Sequence, residues 1–151
     1  MSGIVNQAGS KSGVIGQTEL DYEEGTWTPA PSAGAWGLLT NNFYTKIGGL
    51  CFIQARCMNI TDAGISTISA LPFATNPAGS AYEATAGNAM FQGVGFLTDT
   101  GNITSYIYNN KVYFYLSSSG SGWTHLSGAS YWAVGDDVIF HCTYRCSNVA
   151  P

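Results

Sequence analysis

The chain has 151 residues and a formal net charge of −4, and 9% of its residues are charged, against 45% hydrophobic and 13% aromatic. A typical soluble domain carries about 25% charged residues, so uncharged polar side chains must supply much of the wetted surface. A chain of this length buries enough surface to fold as one domain without metals or disulfides, which excludes disorder for most of it.

The distribution of charge and hydropathy excludes two kinds of partner. The five Lys and Arg residues are scattered, so no basic stripe can neutralise phosphates, and we expect no binding of nucleic acid. No apolar run approaches the roughly 20 residues of a membrane span, so we expect no membrane insertion. The first residues lack the basic and apolar regions of a secretory signal peptide, which predicts a protein made in the cytoplasm and released, if at all, by lysis.

Residues 1–20 differ in composition from the rest of the chain. They are rich in Gly, Ser and Gln and contain two apolar dyads, Ile4-Val5 and Val14-Ile15, which are too small for a core of their own. We expect an N-terminal arm or linker that is either disordered or ordered by packing against partner subunits. Residues 21–151 are predicted to form one head domain.

From Gly25 onward the pattern is typical of β-structure. Short runs of Val, Ile, Thr, Tyr and Phe alternate with Gly, Asn and Pro, and no helical periodicity of useful length occurs. The pattern predicts extended segments near residues 25–29, 36–46, 50–60, 64–71, 83–97, 103–108, 111–117, 123–127 and 136–146. Eight or nine strands with short turns predict an all-β, antiparallel β-sandwich that is similar to a jelly roll.

Four cysteines lie in two of these segments at even spacing, Cys51 with Cys57 and Cys142 with Cys146. Even spacing on a strand places both thiols of a pair on one face, within an apolar row that we expect to face the core. Zinc sites use closer Cys pairs on turns, and a buried Cys behaves as a small apolar residue. We therefore expect buried free thiols and no metal or other cofactor, while cross-strand disulfides stay open if the two strands are neighbours.

The clearest local unit is a hairpin of residues 103–108 and 111–117 joined by Asn109-Asn110. Asn tolerates positive φ, so these two residues predict a two-residue primed turn, which sets Tyr106 opposite Tyr113. One face is then apolar and is predicted to be core: Ile103, Ile107, Val112, Phe114 and Leu116. The opposite face, referred to below as the tyrosine face, carries Tyr106, Tyr108, Tyr113 and Tyr115.

Three interpretations of the tyrosine face stay open. Cross-strand aromatic pairs stabilise a sheet by about 0.2–1 kcal/mol each, which is a purely structural role. Tyr is also enriched in subunit interfaces. Finally, sugars stack on aromatic rings while phenol groups bond their hydroxyls, which favours a platform for a glycan or another receptor. Trp123 in the following segment is a further candidate for this surface.

A second candidate surface lies opposite the cysteine rows. Arg56 on one strand, and His141 and Arg145 on the last strand, alternate with large apolar residues. This mixture suits a subunit interface, in which the arginines could pair with acidic residues. An ordinary exposed, charged face is the alternative.

No pattern typical of catalysis is present. Neither His125 nor His141 belongs to a nucleophile motif. Asp136 and Asp137 are adjacent, so on a strand they would point to opposite faces, and we interpret them as a turn that leads into the last strand. No phosphate loop, dinucleotide fingerprint or EF-hand loop occurs. We expect no enzymatic activity and no catalytic residues.

Three motifs occur in order: LDYEEGTWTP at residues 20–29, FYTKIGGL at 43–50 and ISALPF at 68–73. In this order they resemble the C-terminal domains of tailed-bacteriophage fibre and related structural proteins, which typically contain DYEEGTWTP, YTKIGN and GLPF. The resemblance covers roughly residues 18–146. Gly49 and Ala70 depart from the pattern, which has Asn and Gly at these two positions.

The resemblance implies a virion protein, usually a homotrimer, displayed for host attachment or for decoration of the particle and made in the host cytoplasm. Its implied partners are further copies of the chain, other capsid or tail proteins, and a host glycan or receptor where one is bound. The motif begins about 20 residues after Met1, so we expect either an excised tip or a complete miniature fibre. In a complete fibre Ile4, Val5, Val14 and Ile15 would anchor the arm by strand addition. A capsid or tail decoration (cement) protein without receptor binding and a carbohydrate-binding module are the alternatives.

Overall fold

A computed structural model describes residues 21–76, 85–93, 101–118 and 122–147. These residues form ten strands: β1 (Tyr22–Thr26), β2 (Ala30–Pro31), β3 (Trp36–Ile47), β4 (Leu50–Ile60), β5 (Ile68–Ser69), β6 (Thr85–Gln92), β7 (Gly101–Tyr108), β8 (Lys111–Ser118), β9 (Trp123–His125) and β10 (Asp137–Arg145). The described ranges contain no helix, and therefore none that could span a membrane. The predicted arm, with Ile4, Val5, Val14 and Ile15, lies outside them.

The strands belong to one antiparallel sheet in the order β1-β3-β4-β10-β6-β7-β8-β5-β2, with β9 paired to β8. This confirms the predicted all-β, sandwich-like class. The prediction placed the first strand at residues 25–29, three residues later than the observed Tyr22–Thr26. The reason is that Trp27 and Pro29 leave the sheet edge and are buried in the core. The predicted segment 64–71 holds only the two residues of β5, and β2 was not predicted because it is a two-residue strand that contains Pro31.

The sheet folds over on itself at β6. Residues 85–88 of this strand pair with β7, whereas residues 88–92 pair with β10. Gly87 lies at the change of partner, and a Cβ there would stand 2.0 Å from the carbonyl oxygen of His141. The Ser105 hydroxyl donates to the same oxygen at 3.0 Å. A missing side chain therefore lets β7 and β10 meet directly, so that the two parts of the sheet enclose a core.

Aromatic rings from both parts of the sheet fill this core. Phe114 of β8 meets Phe140 of β10 and Phe91 of β6 edge to face, with ring centroids 5.4 Å and 5.1 Å apart. Trp132 packs 4.9 Å from Phe91, and its indole donates to the carbonyl oxygen of Leu126. Edge-to-face pairs of this kind contribute about 0.5–1.5 kcal/mol beyond their buried area.

The hairpin of β7 and β8 has the predicted register, with Tyr106 opposite Tyr113 and Tyr108 opposite Lys111. Asn109 and Asn110 have φ angles of 48° and 60°, as a primed turn requires. The predicted core face is confirmed: four of its residues are buried and Ile103 packs against them. The side-chain oxygen of Asn110 also accepts from the amide of Thr75 at 2.7 Å, which ties the turn to the rest of the domain.

The three sequence motifs meet around Lys46, which is 3% exposed. Its ammonium group donates to the carboxylate of Asp21 at 2.5 Å and lies 5.3 Å from the centre of the Phe73 ring. The hydrogen bond to Asp21 raises the pKa of Lys46. Tyr44 packs edge to face on Phe73 at 5.4 Å and donates its hydroxyl to Glu23 at 2.6 Å. The motif residues are therefore a structural junction between segments that are distant in the chain.

The thiols are buried and free, as predicted. Cys51 and Cys57 lie on the core face of β4, and β10 is the neighbouring strand, but Cys51 pairs with Tyr144 and Cys57 with Val138. No two thiols are opposite each other, so the cross-strand disulfide that stayed open does not form. Burial raises the pKa of Cys57 to about 12 and that of Cys51 to about 11.

Ala70 provides a test of the fold, because its φ is +62°, where the resemblance leads one to expect Gly. A residue with a Cβ in the left-handed region destabilises the folded state by about 1–2 kcal/mol. Replacing it with Gly removes this strain, but Gly also stabilises the unfolded state by about 0.4–1 kcal/mol because it gives that state more conformational entropy. We expect Ala70→Gly to raise the free energy of unfolding by about 0.5–1 kcal/mol in urea denaturation. Ala129→Gly, in an exposed turn without positive φ, is the control and should lower it. A loss of stability in both variants would contradict the account.

The thiols predict a loss of stability at alkaline pH. A thiol in the unfolded chain titrates near pH 8.5, whereas Cys51 and Cys57 have folded pKa values of about 11 and about 12. Between these limits the unfolded state binds fewer protons, so the free energy of unfolding falls as pH rises, by up to about 1.4 kcal/mol per pH unit for each thiol. Urea denaturation between about pH 7 and 10.5 measures the slope. Cys57→Ala should make it shallower, and an unchanged slope would argue against the buried thiol as its source.

Candidate interaction surfaces

The tyrosine face is formed as predicted on the outer side of the hairpin, away from the core. All four rings are partly buried. Tyr106 is central, with its ring edge to face at 6.3 Å from Tyr113 and 5.6 Å from Tyr115, and Tyr108 lies 6.4 Å away. Burial among these rings raises the pKa of Tyr106. The rings thus support one another and form a continuous aromatic surface.

Strand β9 extends this surface. It pairs with β8 so that His125 lies opposite Tyr115 and Trp123 opposite Ser117. The His125 ring stacks on Tyr115 with centroids 5.2 Å apart, and its Nε2 hydrogen-bonds the carbonyl oxygen of Ser66 at 2.9 Å. The predicted candidate Trp123 joins the face and is 77% exposed. His125 was missed as a member of this surface, although its even spacing from Trp123 places both side chains on one face.

A groove of about 240 Å³ lies at the border of the tyrosine face. Its lining combines aromatic, hydroxyl and small apolar side chains and contains no charge: Ala86, Thr104, Tyr106, Tyr115, Ser117 and Trp123. Within the described ranges, the hydroxyls of Tyr106 and Tyr115 form no hydrogen bond. The groove therefore presents ring faces beside free hydroxyl groups.

The outer side of β3, β4, β10 and β6 carries the second surface. Six large apolar residues on it are 37–63% exposed, and we refer to them as the outer apolar face: Leu38, Phe43, Ile47, Leu50, Phe52 and Met90. Strand register groups four of them: Ile47 pairs with Leu50, Phe52 follows two residues later on the same side of β4, and Phe43 pairs with the next outer residue, Gln54. Leu38 pairs with Met58 and Met90 with Ile139, toward the other end of β4. Single exposed apolar residues are ordinary, but a contiguous group marks an interaction surface.

The charged candidates Arg56, His141 and Arg145 all lie on this outer side, as predicted from their alternation. Arg56 lines a cavity of about 250 Å³ together with Asp137 and Met90, and its Nε atom is buried without a hydrogen-bond partner. The His141 ring lies 6.0 Å from that of Phe52, and Arg145 is exposed beside Leu50. Among the described residues neither arginine forms an ion pair within the chain.

The acidic pair at residues 136 and 137 has the predicted structural role. Asp136 is 2% exposed, and its carboxylate accepts from the amide of Ala133 at 2.8 Å in the turn before β10. Asp137 begins β10 and accepts from the amide of Asn59 at 2.8 Å. In the described part of the chain no three His, Cys, Asp or Glu side chains are grouped as a metal site would require.

No protein-family model matches the chain, and no curated protein matches it significantly. The resemblance to bacteriophage fibre domains therefore depends on the three motifs, and their meeting around Lys46 gives these residues a shared structural role.

Proposed function

We propose that this chain is a non-enzymatic bacteriophage virion protein. Its β-sandwich head forms a homotrimeric fibre or tip domain, displayed on the particle for host attachment, and residues 1–20 anchor it to capsid or tail proteins. The observation that carries the proposal is the outer apolar face, because it needs a covering partner. The three motifs supply the virion setting.

The composition of the outer apolar face favours association. A monomer rarely exposes a contiguous apolar patch of more than a few hundred Å². Here six large apolar side chains share the outer side of four adjacent strands. Depletion of charge and enrichment in aromatic residues and Met are typical of interface cores, and the low total charge of the chain agrees with this.

The charges around the face favour a second copy of the same chain as the covering partner. Arg56 and Arg145 lie on the outer side, and the acidic Glu24 and Asp137 lie on the same side of neighbouring strands. No ion pair joins them among the described residues. In a ring of three copies each contact joins two different parts of the surface, so a face with both signs of charge can set the arginines of one copy against the carboxylates of the next, and such pairs fix the register of an interface.

A decoration protein without receptor binding would form the same assembly and would differ only in binding no ligand. It would give no function to the groove beside Trp123. A carbohydrate-binding module is favoured by that groove but gives no function to the outer apolar face. Oligomeric state and ligand binding therefore separate the three proposals.

Light scattering on the purified chain tests the assembly. We expect a mass near three times 15.9 kDa. Met90→Glu and Phe43→Glu place a charge in the proposed interface at positions that are 63% and 50% exposed in the single chain. An unpaired buried charge costs about 2–5 kcal/mol, so each variant should dissociate to folded monomers. Val134→Glu, on an exposed apolar turn residue outside the face, is the control and should stay trimeric. A monomeric wild type, or variants that remain trimeric, would refute the proposed interface.

Deletion of residues 1–20 tests the anchor. We expect the truncated chain to remain trimeric, at three times its own reduced mass, and to be lost from assembled particles, because in this proposal the arm and not the head contacts the rest of the virion. Immunoblotting of purified particles measures incorporation. Incorporation at the wild-type level would exclude the arm as the anchor, and loss of folding would instead give it a structural role.

A further inference from the structure

We infer that the groove between Tyr106, Tyr115 and Trp123 binds a neutral saccharide. This inference deepens the proposed function and rests on it only for the biological setting, since binding can be measured on the isolated protein. It assigns the groove a class of ligand and assigns roles to individual side chains.

The aromatic rings provide the apolar part of the site. Trp123 is 77% exposed, although burial of a side chain this large is favourable. Its ring shares the groove with the Tyr106 and Tyr115 rings. The C–H face of a pyranose is apolar and flat, so it can cover an aromatic ring that water otherwise contacts.

The hydroxyl groups provide the polar part. Thr104, Ser117, Tyr106 and Tyr115 line the groove, and each hydroxyl both donates and accepts. A sugar hydroxyl has the same dual capacity. The lining contains no charged side chain, so an acidic sugar would lose hydration without gaining an ion pair, which favours a neutral ligand.

Size and polarity argue against two other ligands. The volume of about 240 Å³ is below the roughly 300–1,000 Å³ of sites for drug-sized ligands, so it suits one or two sugar rings of a longer glycan. Aromatic rings also attract quaternary ammonium groups. Such a group has no hydrogen-bond donor or acceptor, however, and it would leave the hydroxyls of the groove unmatched.

The site is held in place before a ligand arrives. The Tyr115 ring is stacked on His125, which is fixed by its bond to the Ser66 carbonyl oxygen. Tyr106 is held by contacts with three other tyrosine rings. Aromatic side chains fixed in this way lose little entropy on binding. The groove is lined from β6 to β9, and the outer apolar face lies mainly on β3 and β4, so a trimer assembled through that face would display three grooves and gain avidity.

The full-length protein can be tested with neutral trisaccharides derived from dextran, mannan, galactan and chitin, with trigalacturonic acid and choline as comparison ligands. Protection of tryptophan fluorescence from acrylamide quenching reports mainly on Trp123, because Trp123 is 77% exposed, whereas Trp27 and Trp132 are 6% and 2% exposed and Trp36 is partly buried. We expect at least one neutral trisaccharide to protect at up to about 10 mM, a weak affinity of the kind a single small site gives. Saturation-transfer NMR on the same samples identifies the bound sugar.

Three variants assign the binding to the groove. Both variants at Trp123 remove the fluorescent reporter, so they are read by NMR transfer: Trp123→Ala should abolish it, whereas Trp123→Tyr should retain it because it keeps a ring. Tyr115→Phe should weaken binding about threefold to tenfold through loss of one hydroxyl. The matched control Tyr108→Phe removes a hydroxyl outside the groove and should leave the affinity unchanged.

Three outcomes would overturn the inference: no neutral saccharide bound, binding of choline or the acidic sugar alone, or neutral binding that Trp123→Ala leaves intact. Light scattering on the same samples separates this result from the assembly. A trimer that binds no sugar refutes the saccharide site alone, and a monomer that binds sugar refutes the trimer alone.

Discussion

The close approach of β7 and β10 at Gly87 is the constraint on which the rest of the structure depends. A Cβ at this position would stand 2.0 Å from the His141 carbonyl oxygen, so only glycine permits β6 to change partners there. Because β6 pairs with β7 along one half and β10 along the other, a single ten-stranded sheet closes over a core instead of remaining open. The contact between Phe114 and Phe140 follows from this closure. The closure of the sheet also separates an inner apolar side from an outer side that carries both apolar and polar residues.

The junction at Lys46 gives the sequence motifs a physical meaning. A buried ammonium group is costly unless it is paired, and here Asp21 pairs with it while Phe73 covers it. The edge strand β1, the long strand β3 and the loop after β5 are thereby tied together. Residues that recur together in order along a chain can therefore reflect one tertiary contact.

The outer side of the sheet explains how so few charges suffice. One part carries the outer apolar face, with Arg56 and Arg145 at its strands, and the other carries the tyrosine face and the groove. Phenol and hydroxyl groups wet the second surface without ions. The first has too much exposed apolar area to be well hydrated, which is the physical reason to propose that copies of the chain cover it. The two surfaces share only β6, where Met90 belongs to the outer apolar face and Ala86 to the groove, so most of each surface lies on strands that the other does not use.

The sequence by itself determined the strands with strong alternation, the register of β7 with β8, the burial of the thiols and the composition of the tyrosine face. These features depend on local periodicity and on two Asn residues that accept positive φ. It also placed Arg56, His141 and Arg145 on outward faces, because alternation alone fixes the side of a strand. Only the tertiary structure decided which strands are neighbours. That order brings Leu38, Phe43 and Met90 onto one side of the sheet and adds His125 and Trp123 to the tyrosines. The left-handed backbone of Ala70 was likewise visible only in the structure. Pairing between distant strands is set by core packing and by close approaches such as Gly87, and neither leaves a periodic signal in the chain.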